Sequence, residues 1–301
     1  MTLATNTATI PATPPFDFAH SLAFLADFGP MRDSQAMIGE SVTRAMLIDG
    51  QMIVYRLQTA DPPETAALNC TLWSDAPLSP HTIAAAHQRI AIALSLSDDL
   101  LPFYELAEGD PYFQPIVEQH YGYHQVKFPS AFENAVWAVL SQRNTLTSAR
   151  TMRMALVQHY GTELAVEGNI YRTFPEPQRM AVDPAGEITR VIGHAQKGPT
   201  VSAVAAAFAQ VDERWLQVAP FEEVERWLLS IYGIGPWGAS FVMIRGLGRM
   251  ERLPNGERKL LASIGQIYKR SGPVTEREAQ QLAARYGAYQ GYWAHYLRVA
   301  T

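Results

Sequence analysis

Residues 221–245 read FEEVERWLLSIYGIGPWGASFVMIR, the most informative segment of the chain. Apolar residues before position 231 follow helical spacing, and a second apolar helix follows Pro236. Gly233 and Gly235 permit a tight turn between them, and proline suits the first helical position because its missing N–H has no partner to lose there. The segment therefore predicts two helices joined by a hairpin, with backbone N–H groups of the second helix free to bind an anion such as phosphate.

The chain has two regions of different pattern, and the hairpin lies in the second. The first region predicts a small mixed domain: a helix over 18–27, a β-hairpin over 45–56 that turns at Asp49-Gly50, a strand over 67–73 and an amphipathic helix over 80–94. After residue 98 the strand signals nearly stop and helical patterns take over. We therefore predict a disordered leader over 1–14, an α+β sheet domain over 15–100 and a mainly α-helical domain over 101–301.

The composition excludes several classes of protein. With 48% apolar residues in 301, the chain is not a disordered protein, and no apolar run approaches the roughly 18 residues of a membrane span, so we expect a soluble protein. The single cysteine, Cys70, excludes an intramolecular disulfide, a cysteine-ligated zinc site and a four-cysteine iron-sulfur cluster within the chain, and fits a reducing cytoplasm. The histidines lack metal-ligand spacing, so we expect neither metal nor cofactor.

The charge is unevenly distributed. The net charge is -5, yet residues 231–301 hold ten Lys and Arg against four acids, an excess of six that leaves the remainder at -11. If the protein binds a polyanion, we therefore expect the C-terminal third to contact it. An ordinary solvated basic face is the alternative.

Four motifs occur in order: FENAVWAVLSQRN over 132–144, FPEPQR over 174–179, the hairpin, and RLPNGERKL over 252–260. Together they resemble the helix-hairpin-helix DNA glycosylases, and within them the AlkA-type 3-methyladenine DNA glycosylase II. The resemblance covers most of the chain. It implies an α+β N-terminal domain followed by a mainly α-helical helix-hairpin-helix glycosylase domain, acting as a monomer on double-stranded DNA containing damaged bases, in the bacterial cytoplasm and away from membranes.

Cleavage of a glycosidic bond builds positive charge on the sugar, so a carboxylate is needed beneath the anomeric carbon. The resemblance assigns this role to an Asp in a Pro-x-Gly-Asp segment. Here Pro254-Asn-Gly-Glu257 keeps that order with Glu257 as the acid, whereas the Pro-Asp-Asp spacing of other members would put Gly256 in the slot and remove the acid. We favour Glu257, whose extra methylene shifts the carboxylate by about 1.5 Å, enough to cost on the order of 100-fold in rate.

The resemblance also indicates residues around the base. Relatives that also cut the DNA backbone carry a lysine at the position of Trp237, where it forms a Schiff base. Because tryptophan cannot form one, we predict a monofunctional enzyme, which removes the base and leaves the strand uncut. Trp237 and Phe241, one helical turn apart, offer an aromatic face for an electron-poor alkylated purine. Tyr292 matches a tyrosine of the family's C-terminal helix, although Gln290 and Gly291 replace Arg and Ser there. An ordinary core role for these aromatic side chains is the alternative.

A base inside a duplex must be extruded before it can be cut. The resemblance places the wedge that fills the gap after the helix beginning near 132, at Gln142, Arg143 and Asn144, with Arg143 in the intercalating position. A solvent-exposed arginine at a helix terminus is the alternative. The predicted phosphate contacts are Gly233, Ile234, Gly235, Arg245, Arg258 and Lys259.

The predicted function is hydrolytic excision of alkylated purines in base excision repair. One alternative is a non-catalytic DNA-binding or lesion-sensing protein on the same fold, because the family's Asp is absent. A second is an enzyme for oxidised or deaminated bases, and a third is a sugar-active or nucleotide hydrolase on another helical fold. Release of bases from methylated duplex DNA separates the first alternative from the predicted function.

Overall fold

The computed structural model describes residues 2–61, 65–184 and 186–301. Its strands are β1 (Ala4–Pro11), β2 (Gln35–Ile38), β3 (Ser41–Ile48), β4 (Gln51–Thr59), β5 (Ala67–Ser74), β6 (Glu163–Val166) and β7 (Asn169–Arg172). Its helices are α1 (Phe18–Asp27), α2 (Pro80–Ala93), α3 (Leu101–Ala107), α4 (Gln114–Gln119), α5 (Ala131–Ser141), α6 (Leu146–Tyr160), α7 (Pro177–Ala181), α8 (Glu187–Ile192), α9 (Lys197–Phe208), α10 (Glu213–Val218), α11 (Phe221–Ser230), α12 (Pro236–Arg245), α13 (Arg258–Ile267), α14 (Glu276–Ala283) and α15 (Gln290–Val299), with 3-10 helices over Gly29–Ser34 and Ala284–Tyr289. The predicted fold class is confirmed, because an antiparallel sheet comes first and helices dominate the rest. None of the described helices has the length and apolar composition needed to cross a bilayer.

Five strands form an antiparallel sheet in the order β1-β5-β4-β3-β2. At the hairpin between β3 and β4, Ile48 pairs with Gln51. The two linking residues, Asp49 and Gly50, both adopt left-handed conformations, with φ of 50° and 74°. A two-residue type I′ turn requires such angles, which is why an Asp-Gly pair favours it. The hairpin predicted at these residues is confirmed.

Residues 4–11 form the strand β1, within the segment over 1–14 that was predicted to be a disordered leader. β1 pairs along its whole length with β5, from Ala4 opposite Ser74 to Pro11 opposite Ala67. The strand reads ATNTATIP, and only Ile10 is buried in it. This sequence has no apolar run from which a strand could be predicted. Its order comes from backbone hydrogen bonds to a strand far along the chain, and its threonines suit an extended conformation.

Two apolar cores divide the molecule differently from the predicted boundary near residue 100. The first core joins the sheet and α2 to α3, α4 and the C-terminal helices α13, α14 and α15. The second core is built from the helices between them, α5 to α12. The chain therefore leaves the sheet, forms the helical core and returns. This return packs His295 of α15 beside Phe24 of α1, with ring centroids 5.9 Å apart.

A two-stranded sheet interrupts the region predicted to be helical after residue 101. β6 and β7 pair antiparallel around a turn at Glu167, which forms an ion pair with Arg56 of β4. Val166 and Tyr171 pack in a small third apolar cluster with side chains of β4. Strands of four residues are too short to establish a period-2 pattern, so the sequence did not reveal them.

Candidate active site

α11 and α12 form the predicted hairpin, and glycine is required at its turn. Gly233 has φ of 84°, and an added Cβ would lie 2.2 Å from Cγ2 of Thr200. Gly235, the residue before α12, has no side chain with which to cap the helix. The first N–H groups of α12 are therefore available to an anion. The side chain of Ile234 is buried in the helical core and anchors the turn from within.

A groove of about 1010 Å³ runs beside this hairpin. Arg143, Lys197 and Arg258 line it, and the residues described there include no carboxylate. Cations without neighbouring acids create a positive potential that attracts a polyanion. Of the predicted phosphate contacts, Arg258 lies in this groove, whereas Lys259 is exposed but does not belong to its lining.

The loop predicted to be a wedge follows α5 and is held by side chains. The ammonium of Lys197 donates to the carbonyls of Val139 and Gln142, at 2.6 and 2.8 Å. Nδ2 of Asn144 donates to the Leu140 carbonyl at 3.1 Å. These bonds satisfy carbonyls that the end of a helix leaves without backbone partners.

Arg143 itself is exposed at the rim of the groove and adopts a left-handed conformation, with φ of 51°. A residue other than glycine is uncommon there, and such strain persists only when the surrounding structure enforces it. Lys197 and Asn144 are the side chains that fix the loop on either side. Partial burial lowers the pKa of Lys197.

A cavity of about 180 Å³ lies behind the groove, and Trp237 borders both spaces. Trp237 and Phe241 form one wall of the cavity, with nearly parallel rings 5.2 Å apart and an interplanar angle of 11°. Their spacing along α12 places both on one helix face. The predicted pairing of these two residues is therefore present, facing a space beside the groove.

The second aromatic wall comes from α1 and the residue that follows it, which the sequence prediction did not include in the site. Phe24 and Phe28 stack with centroids 5.0 Å apart, and both line the cavity. They repeat the i, i+4 spacing of Trp237 and Phe241, which was the available signal. Only the packing of the N-terminal helix against the helical part brings the two pairs together.

Glu257 lies in the same cavity, on the loop before α13. Its side chain is 15% exposed, and Oε2 accepts a hydrogen bond from Nη1 of Arg298 at 2.7 Å. Among the described residues that line the cavity it is the one carboxylate. The backbone N–H of Asn255 donates to Oγ of Ser240 at 2.9 Å, which fixes the loop to α12. Gly256, with φ of 65°, provides the turn that leads into Glu257.

Arg245 also faces this cavity, although the sequence predicted a phosphate contact. Its side chain is buried, and the guanidinium lies over the rings of Phe24 and Phe28, 4.7 and 5.2 Å from their centroids. Burial lowers its pKa to about 10. It is thus removed from the groove, because the face of α12 that carries it turns inward.

Proteins of known function resemble this chain in sequence. A DNA-3-methyladenine glycosylase of Bacillus subtilis is 28% identical over 204 residues, which are 67% of each chain. A protein of Mycobacterium tuberculosis named "Probable bifunctional transcriptional activator/DNA repair enzyme AlkA" is 25% identical over 217 residues, 71% of this chain and 42% of its own length. No protein-family model matches the chain.

Solved structures share the fold. The 3-methyladenine DNA-glycosylase of Archaeoglobus fulgidus superposes with a TM-score of 0.80 over 97% of both chains, at 18% identity. The Schizosaccharomyces pombe 3-methyladenine DNA glycosylase Mag1, in complex with abasic DNA, superposes with a TM-score of 0.52 over 65% of this chain and 94% of its own, at 19% identity. The names of the sequence relatives and the shared fold support the helix-hairpin-helix DNA glycosylase superfamily that the four motifs indicate.

The C-terminal helix α15 lines the cavity with a face that the sequence did not predict. Gly291, Ala294, His295 and Arg298 line the cavity, and their i, i+3, i+4, i+7 spacing marks one side of α15. Tyr292, predicted to contact the base, lies on another side. It is buried in the sheet-side core, where its hydroxyl donates to Asp98. The resemblance to the family's C-terminal helix carried the prediction, but here the tyrosine ring is part of the core.

The glycosylase fold also carries one group of side chains with metal-binding chemistry away from the cavity. Ligand atoms of His159, Asp183 and Glu187 lie within 4.8 Å of one another. Both carboxylates already have partners, since Tyr160 donates to Asp183 and Arg190 pairs with Glu187. The geometry therefore needs no cation to explain it.

Proposed function

We propose that this protein is a monofunctional DNA glycosylase that flips an alkylated purine of the 3-methyladenine type out of duplex DNA and hydrolyses its N-glycosidic bond. One observation carries the proposal. The Glu257 carboxylate, held by Arg298, lies in an aromatic cavity that shares Trp237 with a groove lined by the cations Arg143, Lys197 and Arg258. Two relatives are named as 3-methyladenine DNA glycosylases, which supports the same reaction.

The cavity suits a flipped base and a developing sugar cation. The aromatic pairs Trp237–Phe241 and Phe24–Phe28 would hold the flat base. As the bond between C1′ and the base nitrogen breaks, its electron pair leaves with the base and neutralises the alkylated purine. Glu257 stabilises the positive charge on the sugar and orients a water. The water oxygen bonds to C1′, and its surplus proton passes to solvent.

The groove would hold the DNA on either side of that base. The N–H groups at the start of α12 and the cation of Arg258 would contact phosphates, which fix position without reading sequence. Arg143 would fill the gap left by the flipped base. Because Trp237 occupies the lysine position of bifunctional relatives, the product would be an abasic site in an uncut strand.

The direct test incubates the purified wild-type protein with methylated duplex DNA. We expect free 3-methyladenine in solution and strands that break only after hot alkali, which cleaves abasic sites. Strand breaks before alkali would indicate bifunctional chemistry. Tight binding to the duplex with no released base would favour the lesion-sensing alternative.

We also expect Lys197→Met to slow base release from a fully paired duplex about 10-fold, because the wedge loop loses two anchoring hydrogen bonds. The loss should be smaller when the lesion faces a mismatch, since a poorly paired base costs less to extrude. Single-turnover rates on the two duplexes measure this, with the exposed Lys269→Met as control. Equal slowing on both duplexes would contradict a role in base extrusion.

A further inference from the structure

The carboxylate of Glu257 is held by a single side-chain hydrogen bond. Glu257 is the N-cap residue of α13, but its side chain accepts no hydrogen bond from the first N–H groups of that helix. Among the residues that the structure describes, its one side-chain partner is Arg298, whose Nη1 lies 2.7 Å from Oε2. The side chains preferred at an N-cap, aspartate among them, are short enough to accept from their own helix. The extra methylene of glutamate therefore leaves this carboxylate without the local support that an aspartate would find.

α15, which carries Arg298, contacts the loop before α13 at two points. At the beginning of the helix, the N–H of Gly291 donates to the Met250 carbonyl at 2.8 Å, and a Cβ added at Gly291 would lie 2.6 Å from the Met250 sulfur. Near the end of the helix, about 10 Å further along its axis, Arg298 reaches Glu257. Trp293 lies between these contacts and is fully buried in the sheet-side core. α15 is therefore a fixed support for the loop that carries the carboxylate.

A second arginine competes for the same carboxylate. Arg245 lines the cavity together with Glu257 and Arg298. Its side chain is 8% exposed, and its Nη2 atom has no hydrogen-bond partner among the described residues. Burial lowers the pKa of Arg245, whereas the negative charge of Glu257 acts in the opposite direction. A glutamate released from Arg298 would therefore be attracted toward the buried guanidinium and away from its present position.

We infer that Arg298 is a positioning residue that compensates for the length of Glu257, because it holds the longer carboxylate where an aspartate would be held by its own helix. A displacement of about 1 Å in a reacting group can cost on the order of 100-fold in rate. A glutamate without this hydrogen bond would lose that much precision. The inference rests on the proposed function and explains how a glutamate can carry the reaction.

The charge of Arg298 and its hydrogen bond predict opposite results when the arginine is removed. A positive charge beside the carboxylate opposes the positive charge that develops on the sugar, so removal of that charge by itself would speed base release. Loss of the hydrogen bond leaves the carboxylate free to move, which slows base release. A slower Arg298→Met variant would therefore indicate positioning and not an effect of charge.

The test is a double-mutant cycle of Arg298→Met and Glu257→Asp, measured as single-turnover release of 3-methyladenine from duplex DNA with the enzyme in excess. In the wild-type background we expect Arg298→Met to lower the rate about 10- to 100-fold. In the Glu257→Asp background, where N–H groups of α13 can hold the shorter side chain, it should lower the rate less than about 3-fold. Equal losses in the two backgrounds, or no loss in either, would overturn the inference. A slow Glu257→Asp protein would overturn it too, because the length of the glutamate would then be required.

Two further variants make the result specific. Arg298→Lys keeps a cation that can donate to Oε2 and should retain more of the rate than Arg298→Met. Arg172→Met is the matched control, because Arg172 is a similarly exposed arginine that pairs with Glu163 at 2.8 Å, and this variant should release bases at the wild-type rate. Thermal unfolding checks that each variant is folded.

DNA binding separates positioning from a phosphate contact. Arg298→Met should bind duplex DNA with wild-type affinity, whereas weaker binding with a lower salt dependence would assign Arg298 to a phosphate and overturn the inference. A wild-type protein that releases 3-methyladenine, beside an equally fast Arg298→Met variant, defeats this inference alone. A wild-type protein that releases no base defeats the proposed function.

Discussion

Glu257→Gln is expected to lower the single-turnover rate of 3-methyladenine release about 1000-fold. Losses of this size are typical when a group that stabilises charge in the transition state is removed. The substitution keeps the size of the side chain and removes its negative charge. That charge lies in a cavity where the side chain is 15% exposed, so solvent screens it poorly. Affinity for duplex DNA should change little, because the groove is lined by other residues.

Two variants make this result specific. Glu257→Asp restores the charge on a shorter side chain, nearer the family's Asp, and should keep most of the wild-type rate or exceed it. Glu225→Gln removes a carboxylate on α11 that pairs with Arg252 and does not line the cavity. This variant should leave the rate unchanged. If Glu257→Gln released bases as fast as wild type, the carboxylate would have no part in the reaction.

Gly233→Ala should weaken binding to duplex DNA more than 10-fold and destabilise the fold by about 3 kcal/mol. The estimate adds about 1–2 kcal/mol for a left-handed alanine to about 1–3 kcal/mol for overpacking. The new Cβ would lie 2.2 Å from Thr200 on α9, so the turn must shift. A shifted turn moves the N–H groups of α12 that would bind phosphate. Urea unfolding and DNA titration measure the two effects.

The strain and the clash can be separated. Gly39 also has a left-handed conformation, with φ of 57°, but no atom lies within 4 Å of an added Cβ. Gly39→Ala should therefore show the cost of the backbone strain alone, and the variant should bind DNA normally. Adding Thr200→Ala to Gly233→Ala should recover part of the stability. If Gly39→Ala and Gly233→Ala cost the same, close packing against α9 would not be what requires glycine at the hairpin.

Local sequence signals predicted much of the architecture. The Asp49-Gly50 pair predicted its hairpin because the turn depends on two residues, and the Gly-Ile-Gly-Pro segment predicted the bounds of α11 and α12 for the same reason. Trp237 and Phe241 were predicted together because helix spacing alone puts them on one face. Glu257 was favoured from the Pro254-Asn-Gly order, and the cavity now gives that carboxylate a setting in which its chemistry is possible.

Long-range packing decided what the sequence could not. β1 is ordered by a partner strand, and Phe24 and Phe28 reach the cavity only because α1 meets the helical part, so no local pattern predicts either. Arg245 and Tyr292 show the same limit. Charge predicted a phosphate contact for Arg245, and the family resemblance predicted a base contact for Tyr292, yet both side chains are buried elsewhere.

The hairpin, its two helices and the residue types able to carry the reaction could be predicted from the sequence, because turns and helix faces depend on neighbours a few positions apart. Which side chains line the cavity, and what charge the cavity carries, depends on the tertiary structure. Those properties arise where α1, α12, α15 and the Glu257 loop converge, and such convergence depends on how whole faces are buried rather than on any short segment.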